Sequence, residues 1–326
     1  MRVMMSVDEV ALAIAAGKRL LLAGDEALLR KLPRGTWVGG TIPYFMGDEG
    51  GLFSRERLAC TELPGSVTEV RLRSYSAPEL ESMTADAPSN GISFIIIPAA
   101  SEAHLSFAQH APSYPDIFLK PFAGWIAGVA LEDLGKQSAK VVNGQTGEIS
   151  DSKAVVMHAT LPAGKLAKLS IINVFKPGAG EDIEFDETGF SIRECRVGGK
   201  RVDFAKYLLE RQADTRLPLV ADYSGSMINT SFQSVDRSSG VQLYAPVFRG
   251  VRYRLAAPVS DYVAELDRAS SGAAETVAFS CNCILNYVHG RLEGKRTGAF
   301  KGPFTFGEIA FQLLNQTLMK VEIVDA

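Results

Sequence analysis

Apolar residues along this chain recur mostly at every second position, and only in short stretches at the three-to-four spacing of a helix. The helical spacing occurs first at Val7–Ala16, where Val7, Val10, Ala11 and Ile14 share one side and Ser6 is placed to cap the N-terminus. Arg19–Ala23 reads as a buried strand, and Glu26–Leu32 as a short helix that stops before Pro33. Thr36–Phe45 is strand-like and contains Gly39-Gly40, a pair that admits close approach of a backbone or ligand, or forms a bulge. Val67–Tyr75 alternates, and GISFIIIP at Gly91–Pro98 is the most hydrophobic stretch, expected to be a central strand covered on both faces. Pro78–Thr84 reads as a helix, and so does Ser101–His110, whose inner face would be Ala103, Phe107 and Ala108.

Further along, Phe122–Val129 is apolar and Gly-spaced. Ala139–Val142 and Ala154–Leu161 are expected as strands around an NGQTGE turn, with Asn143-Gly144 as the hairpin signal. Lys168–Val174 reads as a strand and Pro177–Glu187 as an acidic loop; Phe190–Val197 then leads through Gly198-Gly199 into a helix over Val202–Arg211. Short strands are expected at Leu217–Tyr223, Ile228–Val235, Val241–Pro246, Val251–Pro258 and Glu275–Cys283, with a helix at Ser260–Ser270. In the closing strand Thr317–Val324, Met319, Val321 and Ile323 alternate with Lys320 and Glu322. Many strands joined by tight turns, with few helices, predict an α+β fold: layered, largely antiparallel mixed sheets with helices packed on them. A domain boundary is placed near residue 200, giving 1–200 and 201–326.

Composition narrows the function classes. The 326 residues are 46% hydrophobic and 22% charged, and no apolar run reaches the length of about 18 residues needed to span a bilayer. Asp8 and Glu9 break the resemblance of the N-terminus to a signal peptide, so a cytoplasmic protein without membrane insertion is expected. A net charge of −3 with no basic stripe argues against a nucleic-acid partner. Four cysteines are too few for a disulfide framework.

Segments of the second half, LPLVADYSGSM, VDRSSGVQLYAPVFRGVRYRLA, TVAFSCNC, GPFTFGEI and LNQTL, follow one another as in the C-terminal domain of the FIST family, which this chain resembles. TWVGGTIPY, FAGWIAGVALED, VVNGQTGEISDSKAVVMHATLP and IRECRVGGKRVDFAKYL resemble its N-terminal domain. The resemblance implies an intracellular bacterial sensor that binds a small ligand and signals through a separate protein partner. It also implies haem as one conceivable cofactor, since some members are reported to sense nitric oxide with it. The stretch Asn282–His289 lengthens the usual link before Gly290-Arg291.

The ligand site that the resemblance implies comprises Gly40, Thr41, Ser280, Cys281, Arg291, Gly307 and Glu308. Arg291 would take a carboxylate and Glu308 an amine of a small polar, amino acid-like metabolite. Two other readings involve Cys281: as nucleophile of an enzyme with His289 as base, or with Cys283 and His289 as part of a metal site. An interaction scaffold without ligand is a further alternative. Glu308, a lone acid among Phe304, Phe306, Gly307 and Ile309, is expected either to anchor a turn or to touch the ligand.

Overall fold

Ser6 caps the first helix as expected. Its hydroxyl accepts from the Glu9 N–H, and the Glu9 carboxylate accepts in return from the Ser6 N–H, so Val7–Ala15 starts from a reciprocal capping box. Val10 and Ile14 are its buried face. The computed structural model describes residues 4–223, 225–270, 277–298 and 300–326. Strands dominate, nearly all paired antiparallel. The parallel pairs are Leu20–Gly24 with Trp37–Thr41, Gly91–Pro98 with Phe122–Ala127, and Val277–Cys283 with Gly302–Thr305. The α+β expectation holds.

Three sheets enclose the main core. In one, Leu20–Gly24 lies between Leu58–Glu62 and Trp37–Thr41. In the next, Gly91–Pro98 lies between Phe122–Ala127 and Ala154–Thr160, extended by Glu308–Ala310 and Gln312–Leu314 at one edge. The third contains Lys165–Ile172, Leu318–Asp325, Val277–Cys283, Gly302–Thr305 and Tyr44–Gly47. Period-two alternation along Gly91–Pro98 explains the layering. Phe94 and Ile96 point into the shared core, where Phe94 and Trp125 pack on Phe279 of the third sheet. Ile95 and Ile97 point the other way, onto Ala103, Phe107 and Ala108 of the helix Glu102–His110. This strand is therefore covered on both faces, as its composition predicts.

A fourth six-stranded sheet and a three-stranded one, together with the helix Phe204–Glu210, surround a separate core of Phe185, Phe204, Phe232 and Tyr253. Residue 200 lies in the hairpin Glu194–Val197/Lys200–Asp203. Strands from both sides of it pair directly: Glu308–Ala310 with Phe122–Ala127, and Leu318–Asp325 with Lys165–Ile172.

Some elements differ from expectation. The Asn143-Gly144 turn joins Val141–Asn143 to the short strand Glu148–Ser150, while Ala154–Thr160 pairs in the neighbouring sheet. Ile228–Val235 is split into Ser226–Thr230 and Phe232–Asp236. The expected strand Glu275–Cys283 is seen over Val277–Cys283, its first two positions lying outside the described residues. The lengthened link after Cys283 is the helix Ile284–Gly290. None of the described helices is long and apolar enough to cross a membrane.

Candidate functional site

The stretch 302–318 builds a buried polar knot at the junction of the second and third sheets. Gly307 adopts a left-handed φ of 153°, and a Cβ there would stand 2.8 Å from Leu313 Cδ1, so only glycine fits the bend that leads into Glu308. Glu308 pairs in the ladder with Trp125 and Leu314 and is completely enclosed. Its Oε2 accepts from the Thr317 hydroxyl at 2.7 Å and from the Thr317 N–H at 3.3 Å; Oε1 has no protein partner. Among the described residues no cation pairs with it. Burial therefore pushes its pKa up to about 8, only partly offset by the Thr317 bonds and the adjacent Cys283 thiol. Near neutral pH it is largely a carboxylic acid.

The neighbours are also polar and only partly satisfied. Asn286 Nδ2 donates to Asn282 Oδ1 and to the Thr317 carbonyl, leaving Asn282 Nδ2 and Asn286 Oδ1 without partners. Asn315 donates to the Leu314 carbonyl, and its Oδ1 is unpartnered. Gln316 is left-handed at φ 49° and is held at both ends of its amide, accepting from Ser231 and donating to the Arg216 carbonyl. Each orphaned buried polar atom costs about 1–3 kcal/mol, so their concentration here marks a place adapted to something other than stability.

A cavity of about 460 Å³ borders this knot. Cys283, Asn315 and Phe306 form part of its inner wall, and His104 stands on another side. His104 Nδ1 accepts from the Ala100 N–H, so its proton is on Nε2, which has no protein partner. Burial lowers its pKa to about 4, so the ring is neutral at physiological pH. The rim is apolar: Leu105, Leu131, Leu134, Tyr244 and Val288 line the cavity and are each at least 36% exposed. Among the described residues, no acidic, lysine or arginine side chain lines it.

The residues expected to form the ligand site do not converge. Gly40 packs beneath Ile96 and Trp125, where a Cβ would lie 2.6 Å from Ile96 Cγ2; what comes close there is the core. Thr41 accepts from the Lys140 N–H beside a recess of about 20 Å³, room for roughly one water. Ser280 donates to the Lys301 carbonyl. Cys281 is fully buried in the main core with its thiol against the Gly124 carbonyl. Arg291 is exposed and left-handed at the end of Ile284–Gly290, so the helix carries it to the surface and the Arg291/Glu308 clamp is not formed. Gly307 and Glu308 alone of that set belong to the knot.

Cys281, Cys283 and His289 likewise do not meet. His289 is exposed on the far turn of the same helix, and no group of three His, Cys, Asp or Glu among the described residues is placed to hold a metal. Burial pushes both thiols well above their ordinary range, with the Glu308 carboxyl adding to the effect. All four cysteines are buried. Labelling with an aromatic disulfide near neutral pH is expected to find no thiol reacting within minutes in the native protein and four after denaturation; one fast native thiol would contradict this. A serine–histidine pair exists elsewhere: Ser93 bonds His158 Nδ1, and Nε2 bonds Tyr75, which donates to Asp86. It is a closed chain pinning adjacent strands, with Ser93 completely buried.

His104 and Asn315 were not among the expected residues. His104 falls beside Ala103 on the inner edge of its helix, which is the one hint its spacing gives. Asn315 interrupts an apolar stretch between Leu314 and Leu318 and reads as a turn.

With this geometry in hand, the chain belongs to a family of unknown function (DUF6976), whose model matches residues 5–324. No FIST domain matches, so the FIST assignment is corrected. Its motifs Phe-Ser-Cys and Gly-Glu-Ile are here a buried strand and a bend into a strand, short patterns that packing alone accounts for. The sensory role and haem came with that resemblance alone. No curated protein matches the chain.

Proposed function

We propose that this member of the family is a small-molecule-binding protein whose site is the cavity between His104 and Asn315. The observation that carries this reading is the combination of an exposed apolar rim with two buried, unpartnered polar atoms of opposite character. His104 Nε2–H is a donor and Asn315 Oδ1 an acceptor, and both residues line one cavity. Pockets of this kind hold a mostly apolar body and fix its orientation with a few polar groups. The absence of charged side chains among the described lining residues selects against carboxylates, phosphates and amines, whose desolvation here would go uncompensated. The matching ligand is neutral and amphipathic, with a hydroxyl or primary amide head that both donates and accepts.

Thermal-shift screening of neutral alcohols and amides beside their carboxylate and amine counterparts tests this. A neutral compound present at a hundred times its Kd should add about 2.7 kcal/mol of apparent stability. His104→Phe should weaken such a compound about tenfold or more, the worth of one buried hydrogen bond. Val288→Trp, filling the rim, should abolish binding. Hits that bind equally well to both variants, or a screen in which only charged compounds act, would overturn the assignment.

A further inference from the structure

The knot has a second face. A cavity of about 300 Å³ is lined by Gln316 where the apolar one is lined by Asn315, and by Asn286 where the other is lined by Cys283. The pair Asn315-Gln316 thus stands between the two. The two interiors differ sharply. Asp214 and Arg216 stand at the smaller one as a planar pair, Nε to Oδ1 at 2.8 Å and Nη2 to Oδ2 at 2.7 Å, both substantially exposed. Deeper in are Asn286, which is 1% exposed with Oδ1 unpartnered, and the Tyr262 hydroxyl, also buried without a partner. Burial holds the Tyr262 phenol well above its ordinary range, so it stays a donor. Gln316 adds no free group, since both ends of its amide are engaged.

Among its described lining residues the cavity therefore presents one buried acceptor, one buried donor, the exposed His289 imidazole, and one charge of each sign from Asp214 and Arg216. We propose that it is a second binding site, taking a small net-neutral molecule that carries a protonated amine beside a carboxylate. A lone anion would meet Asp214 and a lone cation Arg216, whereas a zwitterion satisfies both and can reach Asn286 Oδ1 with an N–H and Tyr262 with an oxygen. The volume lies at the lower limit for ligand cavities, which restricts the occupant to a few non-hydrogen atoms beyond those two groups. The site shares no lining residue with the proposed apolar one and stands independently of it.

Titration calorimetry with the common L-α-amino acids as probes tests the proposal, with the matching amines and carboxylic acids as single-charge controls. At least one amino acid should bind while its single-charge counterparts do not. Tyr262→Phe removes only a hydroxyl that has no protein partner, and Arg216→Met alters an exposed side chain, so both variants should fold normally. Each should weaken the amino acid tenfold or more. No amino acid binding at millimolar concentration, equal binding of the single-charge controls, or binding unchanged in both variants would each overturn it.

Discussion

Raising the pH from about 6.5 to about 8 is expected to destabilise the protein, and Glu308→Gln to remove most of that loss. The sign follows from linkage. In the unfolded chain Glu308 ionises near its ordinary value of 4.5, whereas in the folded chain burial holds its pKa at about 8. Between those values the folded state binds the extra proton, so its advantage is complete below 4.5 and is lost as pH rises through 8. At about 1.4 kcal/mol per unit the whole Glu308 contribution, spread from 4.5 to 8, is roughly 5 kcal/mol, of which about 2 kcal/mol falls above pH 6.5. The Glu308→Gln side chain would keep an oxygen for the Thr317 N–H and hydroxyl but could not ionise. His104 and His158, both held at about 4 by burial, act in the opposite sense: stability is lost as pH falls from their ordinary 6.5 toward 4. Together these groups place the maximum near pH 6.5. Urea midpoints at pH 6, 7 and 8.5 for wild type and variant give the check, and parallel pH profiles for the two proteins would sink the idea.

Gly124→Ala is expected to abolish cooperative folding. Gly124 is in the strand Phe122–Ala127, between Gly91–Pro98 and Glu308–Ala310, with φ at 155°. A Cβ there would stand 1.8 Å from the Ile95 carbonyl oxygen and 2.8 Å from its carbon. That obstacle is backbone inside a ladder, so relief requires the central pairing to part. The next residue, Trp125, is stacked on Phe279 at 5.3 Å and couples this strand to the third sheet. Expected losses exceed about 4 kcal/mol, the range reserved for such clashes. Gly65→Ala, where nothing lies within 4 Å of the added carbon, is the control and should change stability by less than about 1 kcal/mol. A Gly124→Ala protein with a near-native melting temperature would show that the strand can shift, contrary to this account.

Local elements were legible where one short pattern decides them. Ser6 and Glu9 announce their capping box, GISFIIIP its two-sided burial, and Ala103, Phe107 and Ala108 the inner face of their helix. The helix Ile284–Gly290 was not, because a single short helical segment after a strand shows no full period, and Cys283 caps it without a side-chain bond. Glu308 was visible as a lone acid, and its turn-anchoring bond to Thr317 is one of the two roles that its setting predicts. The cavity was not visible. It is assembled from His104, Tyr244, Cys283 and Asn315, which are far apart in sequence. Whether an amide or imidazole keeps an unpartnered atom depends on those distant neighbours, so composition and spacing carry no trace of it. Arg291 illustrates the converse: the resemblance placed it in the site, but the preceding helix delivers it to solvent.

Three consecutive side chains divide their attention in three directions. Asn315 serves the apolar cavity, Gln316 the polar one, and Thr317 the carboxyl of Glu308. A stretch that serves all three would make the two proposed occupants and one proton members of a single thermodynamic cycle. Any factor by which a molecule on one side changes affinity on the other is returned in equal measure, and any occupant that alters the grip of Thr317 on Glu308 must take up or release a fraction of a proton. The heat of binding would then depend on the ionisation enthalpy of the buffer, which makes the choice of buffer a probe of this stretch.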